Sequence, residues 1–492
     1  MSSSAPSTGD NGTGPSGIDK DNLLVLFCCT PIAGHMNPNL QIAQYLVSQG
    51  YDVTFLSSAL NEPLVDRTGA HFLPHLGLQN YSSHNIFQVF PELPHKTEGF
   101  EGFAWYAENL WISVMPSAAE SVRQALAALR RRGGPGKEVV IVCEAFFSGI
   151  LPFKLGAELP EGFDTGPKTL CTSILPATFA SVDTGPMGPG LPFDNSLSGR
   201  ARNILLANLF AAMSPFKEVN IHRDKMLRAC GAKRTVETLF NGHDKIIAPG
   251  LFDASWVCHD TVLQMCIPSL DYPYSDWPPY AKWGGTLPVK PRDPDFKPPA
   301  WFHVIIANSS TLGEARQNKI IMVTQGTIEI NYSHLIIPTL KALGERDDLI
   351  VVALLGSRGA TLDSLIQAVP ENAIVVDYFP YDELLPHTDV LVTNASYGVF
   401  SHSVANGVPA VMAGSSEDKP EVAMRAERAG FAVNLGTGTP APAALGDAVE
   451  KILGDGRYKT RAMELKREAE DFDALGTVER EMLALVGRGG SK

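Results

Sequence analysis

Short continuous apolar runs alternate with stretches of helical periodicity through the first half of the chain. Four runs have the length of a strand: residues 23–29, 53–56, 139–143 and around 169–175. A helix is predicted after the first run, with Asn37 as its cap, Pro38 as its first residue and Gly50 as its stop, and another over residues 118–130. Runs that are apolar throughout are typical of parallel strands buried on both faces. The pattern predicts a doubly wound α/β domain.

The same alternation returns in the second half. Strands are predicted at residues 320–323, 349–354, 374–376, 390–392 and 409–412, and helices at 443–453 and from 457 to about 485. Between the halves, residues 268–299 are rich in Pro, Gly, Asp and Tyr, which predicts a linker on the surface. The predicted organisation is a flexible tail (1–20), a first domain (21–284), a linker (285–318), a second domain (319–456) and a terminal helix (457–487).

The composition excludes several functional classes. Hydrophobic residues make up 44% of the 492 residues and the formal net charge is −13. A nucleic-acid partner is therefore not expected, because such binding needs a basic surface. No apolar stretch approaches the roughly 18 to 20 residues of a membrane span, and the first twenty residues lack the pattern of a secretory signal. We expect a cytoplasmic protein without a stable membrane anchor, as a monomer or weak dimer.

Cysteine and histidine spacing narrows the chemistry. The seven cysteines are scattered between Cys28 and Cys266 without a CxxC motif, which predicts reduced, mostly buried thiols. No cluster has the spacing of metal ligands, so no metal site is predicted. A GxGxxG fingerprint is also absent, which argues against a nicotinamide or flavin oxidoreductase.

The loop after the first predicted strand carries a candidate base. Gly34 allows the backbone to turn, and His35 follows at a helix start. The positive end of the helix dipole discourages protonation there, so we expect a neutral imidazole that accepts a proton near pH 7. The alternative is a histidine that only caps the helix or packs at the turn.

A carboxylate at the end of a later strand is a candidate partner for this histidine. Glu144 follows the run at residues 139–143, and if that strand lies beside the first, its carboxylate reaches the ring nitrogen of His35 that does not take the proton. Such a pair fixes the tautomer and stabilises the imidazolium. The alternative is a carboxylate solvated in the crevice.

Two further stretches are candidates for binding. Residues 390–398 predict a strand that enters a helix past Asn394, Ser396 and Gly398, and the free N–H groups of a helix start attract phosphate. An aromatic stretch over residues 87–111 resembles an irregular apolar pocket wall, although ordinary core aromatics are an equal alternative. The residues predicted to line this pocket are Phe87, Phe103, Trp105, Trp111 and Phe147.

Several motifs together resemble one family. The Gly34-His35 turn combines with ThrGlnGlyThr, AspTyrPheProTyrAspGluLeuLeu, ThrAsnAlaSerTyrGly, GlyValPro and GluAspLysProGlu in the second half. This ordered set is similar to the family 1 UDP-glycosyltransferases, over nearly all of the chain after residue 20. The resemblance implies a GT-B fold, with two Rossmann-like domains facing each other across a cleft and a final helix that returns to the first domain. It also implies His35 as general base with Glu144 as its partner.

The resemblance places the donor on the second domain. Tyr378 falls where an aromatic stacks on uracil, Asn394 where a histidine contacts phosphate, and His402 where a glutamate holds the ribose hydroxyls. Asp418 and Lys419 match the pair that reads the donor sugar. The donor-binding residues implied in this way are Gly326, Thr327, Tyr378, Phe379, Tyr381, Asn394, Ala395, Ser396, Tyr397, Gly398, His402, Asp418 and Lys419.

The implied activity is inverting transfer of a sugar, with glucose as the leading choice, from a UDP-sugar to a hydroxyl of a small apolar acceptor such as a phenol, polyketide, sterol or lipid. The nucleotide sugar is a co-substrate, and no cofactor or metal is implied. Ala395, Ser396, His402 and Lys419 depart from the family pattern. These departures motivate an alternative, a binding or regulatory protein that keeps the fold without turnover.

Overall fold

The computed structural model describes residues 20–93, 99–240, 246–290, 296–310, 318–363 and 365–487. The predicted tail, apart from Lys20, lies outside the described residues, as do residues 291–295 and 311–317 of the predicted linker. No helix within the described ranges is both long enough and apolar enough to cross a bilayer.

Thirteen strands in the described residues form two sheets. The first sheet holds β1 (Leu23–Cys28), β2 (Asp52–Ser57), β3 (His71–Pro74), β4 (Glu138–Glu144), β5 (Lys168–Ser173), β6 (Thr261–Gln264) and β7 (Ala281–Trp283). The second holds β8 (Lys319–Thr324), β9 (Leu349–Leu354), β10 (Ala373–Val376), β11 (Val390–Thr393), β12 (Ala410–Met412) and β13 (Ala432–Asn434). Their orders are β3-β2-β1-β4-β5-β6-β7 and β10-β9-β8-β11-β12-β13, and neighbouring strands are parallel. The predicted pair of doubly wound domains is confirmed.

The helices cover the faces of these sheets. They are α1 (Ala33–Ser48), α2 (Glu62–Asp66), α3 (Ile86–Val89), α4 (Phe100–Tyr106), α5 (Met115–Gly133), α6 (Leu151–Lys154), α7 (Leu197–Ala212), α8 (Phe216–Ala229), α9 (Ala254–Val257), α10 (Ala300–Ser310), α11 (Ile336–Leu343), α12 (Tyr381–Leu384), α13 (Tyr397–Asn406), α14 (Lys419–Ala429), α15 (Pro442–Gly454), α16 (Gly456–Asp471) and α17 (Ala474–Gly487). A π-helical stretch, Ala107–Ile112, joins α4 to the turn before α5.

Alternating side chains explain why the central strands are apolar throughout. Every residue of β1 is buried. Val25 belongs to a core cluster that includes Leu46 of α1, whereas the neighbouring Leu26 belongs to a separate cluster that includes Leu126 of α5. Successive strand residues point to opposite faces, so a strand covered by helices on both sides has no polar face.

The strand order of each sheet creates a crevice at the carboxyl ends of its strands. In the first sheet β1 lies between β2 and β4, and in the second sheet β8 lies between β9 and β11. The connections leave toward opposite sides at these points, so a crevice opens beyond the carboxyl ends of the strands. His35 and Glu144 follow or end β1 and β4, and Gly326 and Asn394 follow β8 and β11.

The first helix starts earlier than predicted. It begins at Ala33 rather than at Asn37, so Pro38 lies inside α1 instead of at its first position. Proline supplies no N–H for the carbonyl one turn back. That carbonyl is the one of Gly34, and the next carbonyl, of His35, accepts a hydrogen bond from the Asn39 side chain at 2.9 Å.

The predicted terminal helix is two helices. It is interrupted after Asp471, and Asp473 takes a left-handed conformation with φ of +46° that no helix can continue through. Helix α16 packs against α13 of the second sheet, while α17 packs against β4, β5 and β6 of the first. The break therefore lets the chain end return to the first domain.

The first part of the Pro-rich segment, up to residue 286, is packed into the fold, contrary to the predicted surface position, whereas residues 288–290 are exposed. Ile267 and Leu270 are buried in the main core of the second domain. Residues Ala281–Trp283 form β7 at the edge of the first sheet, and Trp277 stacks on Trp283 with ring centroids 4.3 Å apart. Strand β7 itself contains no proline, so it keeps all of its N–H groups, and the aromatic side chains around it pack into the fold.

Candidate active site

His35 and Glu144 meet at the crevice of the first domain. Strand β1 pairs with β4 in register Cys28 to Cys143, so the loop after β1 passes the end of β4. Nδ1 of His35 lies 3.0 Å from Oε1 of Glu144, and the glutamate side chain is fully buried. The same Oε1 accepts a hydrogen bond from the Phe146 backbone N–H at 2.6 Å. The predicted approach of these two side chains is confirmed.

The electrostatics of His35 differ from the expectation based on the helix start. Burial lowers its pKa, but the Glu144 carboxylate and, less strongly, Asp418 raise it, and the net pKa lies above the ordinary value of 6.5. The helix dipole carries about half a unit charge, which is less than the full charges of two carboxylates. The imidazolium is therefore stabilised, and the prediction of a discouraged protonation was wrong.

Asp418 faces His35 from the second domain. It is the N-cap residue of α14, and its side chain caps no backbone N–H. Burial raises its pKa to about 6, and attraction to His35 opposes that rise. A carboxylate predicted to read the donor sugar therefore lies within electrostatic reach of the candidate base.

Lys419 contacts side chains of its own turn. Its Nζ forms an ion pair with Glu417 and donates to the Ser416 hydroxyl at 3.0 Å. Glu417 itself has φ of +50°, a conformation that favours glycine. The turn before α14 is thus held by its own side chains.

The ends of β8 and β11 form the candidate phosphate site. Gly326 has φ of +79°, and a Cβ on the nearby Gly356 would collide with its carbonyl oxygen. The Asn394 side chain donates to the Gln325 carbonyl at 2.6 Å and so joins the two strand ends, rather than leaving that N–H for phosphate. Ala395 is buried with φ of +63°, which turns the chain into α13. No side chain caps the start of α13 at Ser396.

The remaining predicted donor residues divide between the crevice and the core. Tyr378 is exposed, with the Arg358 guanidinium 4.5 Å from its ring centre, whereas Phe379 is buried against Trp301 and Phe302. The Tyr397 hydroxyl accepts from Gln264 of β6 at 3.0 Å, so its side chain joins the two domains. Phe379 and Tyr397 are therefore structural side chains rather than walls of the crevice.

His402 has a carboxylate partner that the sequence did not reveal. Its Nδ1 lies 2.7 Å from Oδ1 of Asp382, and its ring stands edge-on to Tyr381 at 5.7 Å. Tyr381 in turn lies 3.2 Å from the Thr324 hydroxyl at the end of β8. Polar and ring contacts through α12 thus link α13 to the end of β8.

The aromatic residues around His35 are only partly the predicted ones. The Phe146 ring lies 5.4 Å from the His35 ring, whereas Phe147 stacks on His75, in a different cluster. Phe147 therefore lies away from the predicted pocket, because the turn that follows β4 directs the Phe146 and Phe147 rings to different sides of the sheet. Phe87 and Trp105 pack in the same cluster as Phe146. In the sequence, the adjacent pair Phe146 and Phe147 indicated that an aromatic side chain lies near His35, but not which of the two.

An apolar cavity lies beyond Phe146. Phe252 is 5.5 Å from Phe146 and also packs against Trp111, which is fully buried and belongs to the core. The cavity wall includes Phe103, Phe179, Met187, Phe210, Phe216 and Phe252, with Glu421 and Arg425 on the side of the second domain.

A buried ion network holds the two domains together beside this cavity. Nε of Arg425 on α14 lies 2.8 Å from Oδ1 of Asp271, and its Nη1 lies 3.0 Å from Glu421. Glu421 also accepts from the backbone N–H groups of Gly188 and Gly190. The helix that begins after Asp418 is therefore anchored directly to the first domain.

A family model and several related proteins assign this chain to the same family. Residues 338–474 match the family described as Erythromycin biosynthesis protein CIII-like, C-terminal domain. UDP-glucosyltransferase 1 of Beauveria bassiana is 35% identical over 95% of this chain and 96% of its own length. The chain belongs to the family 1 GT-B glycosyltransferases. UDP-glucosyltransferase A1 of Starmerella bombicola is also similar, at 33% identity over 93% of this chain and 91% of its own.

Solved structures agree on the GT-B fold. The glycotransferase of kitacinnamycin superposes with a TM-score of 0.63 at 17% identity, covering 94% of this chain and 99% of its own. The calicheamicin glycosyltransferase superposes with a TM-score of 0.60 at 15% identity, covering 95% and 99%. The relatives at 30% identity or more, over most of both chains, show that this protein is an enzyme, a UDP-dependent glycosyltransferase. The alternative of a protein without turnover is therefore set aside.

Proposed function

We propose that the enzyme transfers glucose from UDP-glucose to a hydroxyl group of a small apolar acceptor, with inversion at the anomeric carbon. The observation that carries this proposal is the 3.0 Å contact between His35 and Glu144, with Asp418 of the other domain within electrostatic reach. The names of the fungal relatives support the UDP-glucose donor.

His35 serves as the general base. Its Nδ1 faces Glu144, so Nε2 takes the proton from the acceptor hydroxyl, and the carboxylate stabilises the imidazolium that forms. The acceptor oxygen bonds to the anomeric carbon while the bond from that carbon to the UDP oxygen breaks. A base of this kind is worth about 10²- to 10⁴-fold in rate.

The second domain stabilises the departing UDP. The N–H groups at the uncapped start of α13 and the backbone around Gly326 and Thr327 meet the charge that grows on the diphosphate. The exposed ring of Tyr378 stacks on the uracil of the donor, and Asp418 accepts hydrogen bonds from the hydroxyl groups of the sugar. Because amide groups carry this stabilisation, we expect the rate to be unchanged by EDTA.

The acceptor binds beside Phe146 in the first domain. The aromatic side chains around it and the adjoining cavity favour a phenolic, polyketide, sterol or lipid alcohol over a free sugar.

A donor and acceptor panel tests the proposal. UDP-glucose, other UDP-sugars and dTDP-glucose are combined with phenolic and lipid alcohols and with free sugars, and products are identified by mass spectrometry. We expect transfer from UDP-glucose to the apolar alcohols, an inverted anomeric coupling by NMR, and loss of product with His35→Ala. His71→Ala, at an exposed histidine of the same domain, is the matched control and keeps the activity. Retained activity in His35→Ala would overturn the proposed base.

A further inference from the structure

Helix α7 carries large apolar side chains on its solvent side. Leu197, Leu205 and Leu209 are 89%, 66% and 45% exposed, and Met213, directly after the helix, is 53% exposed. Leu205 and Leu209 are four residues apart and so are neighbours on the helix surface, Met213 follows four residues later, and Leu197 lies two such steps earlier. Helix α8, which packs against α7, adds Ile221 at 61% exposure. We call these five residues the apolar ridge.

The inner side of α7 already has a partner. Ala207, Phe210 and Ala211 line the apolar cavity, and Phe210 stacks on Phe216 with ring centroids 5.1 Å apart. The inner side therefore packs into the first domain, while the residues of the apolar ridge remain 45% to 89% exposed. One helix thickness separates the ridge from the cavity.

The charge around the apolar ridge is opposite to that of the whole protein. Residues 197–229 contain six arginines and lysines, of which Arg223 is buried and Arg200 is paired with Asp183, and two acidic residues, in a chain whose formal net charge is −13. On α8, Lys217 and Lys225 lie four residues to either side of Ile221, and all three are exposed. Basic and apolar side chains on one face are typical of helices that lie in the interface of an anionic membrane.

We propose that the apolar ridge docks on the surface of a bilayer that contains anionic lipids. The leucines, Met213 and Ile221 enter the interface, and Lys217 and Lys225 approach the lipid phosphates. A symmetric contact with a second copy is disfavoured, because it brings the lysines of both copies together. Docking there puts the cavity next to a phase in which apolar alcohols dissolve.

Sedimentation with vesicles tests the docking. The full chain is mixed with vesicles of phosphatidylcholine alone or with phosphatidylserine added, without donor or acceptor, so the result does not depend on the proposed function. We expect binding to the anionic vesicles that weakens as salt is raised. Leu205→Gln combined with Leu209→Gln should lower the partition coefficient at least about tenfold. Lys217→Glu combined with Lys225→Glu should remove the preference for anionic vesicles.

The matched control changes leucines of similar exposure elsewhere. Leu60 and Leu365 are 52% and 54% exposed, and Leu60→Gln combined with Leu365→Gln should leave vesicle binding unchanged. Absence of binding to anionic vesicles at low salt would overturn the proposal. So would equal losses in the ridge and control variants. A dimer that the ridge variant dissociates, without vesicle binding, would assign the ridge to self-association and also overturn it.

Discussion

Replacing Glu144 with glutamine removes the charge that faces His35 and keeps the size of the side chain. Nδ1 of His35 and Oε1 of Glu144 are 3.0 Å apart. At an effective dielectric constant of about 20, unit charges at that separation attract by about 5 to 6 kcal/mol. The amide keeps a dipole toward the ring, so the loss is smaller than this value. We expect kcat to fall about 10²- to 10⁴-fold, which corresponds to about 3 to 5 kcal/mol.

The same substitution moves the pH dependence. In the native protein the Glu144 and Asp418 carboxylates outweigh burial, and the pKa of His35 lies above 6.5. Since the base must be neutral in the free enzyme, kcat/KM falls on the acid side of that pKa. Without the Glu144 charge, burial is opposed by Asp418 alone, so the pKa of His35 falls. The acidic limb of the profile then shifts to lower pH.

Steady-state kinetics over about pH 5 to 9 measures both effects. The control is Asp260→Asn. Asp260 directly precedes β6 and so lies at the amino ends of the strands, away from His35, where it accepts a hydrogen bond from Lys154 at 2.7 Å. The control should lower the melting temperature and leave the acidic limb in place. A folded Glu144→Gln variant with native kcat and an unshifted limb would refute the reasoning, and Glu144 would then only hold the Phe146 backbone.

The remaining predictions concern stability. Burial raises the pKa of Asp418 from 3.8 to about 6, so the folded protein keeps a proton that the unfolded chain has lost, and stability falls as pH rises through that window. The free energy of unfolding of Asp418→Asn should therefore exceed that of the native protein by roughly 1 to 2 kcal/mol above pH 6 and equal it below pH 4. Urea denaturation at both pH values measures this difference. It stays below the value of the full pKa shift because the side chain is partly exposed. Ala395→Gly relieves φ of +63° and should change the free energy of unfolding by between zero and about +1 kcal/mol, whereas a clear loss would contradict the strain. Arg425→Met leaves Asp271 and Glu421 buried without their cation and should cost about 3 to 5 kcal/mol, while a cost under about 1 would show that the network does not join the domains.

Local sequence was enough for much of the architecture and for the candidate base. The apolar runs that became β1, β4, β8 and β11 are buried on both faces, and a run with no polar face is visible without any tertiary contact. The turn at His35 follows directly from such a run. The sequence also carried the family resemblance, since ordered motifs survive as a linear pattern.

Contacts between distant segments were not predictable in the same way. Phe146 rather than Phe147 lies against His35, because the direction of a side chain after a strand depends on how the turn leaves the sheet. Asp382 is 20 residues from His402 and meets it only through the packing of α12 on α13. Asp271 and Arg425 are 154 residues apart and turn a proline-rich stretch into a buried domain contact.

The sequence by itself determined the two doubly wound domains, the parallel sheets and the positions of His35 and Glu144 at strand ends, because these depend on local periodicity and on turns. The tertiary structure alone decided the direction in which the pKa of that histidine shifts. Its pKa is raised because Glu144 lies 3.0 Å away and Asp418 of the other domain adds its charge, and electrostatic energy depends on distance in space rather than along the chain.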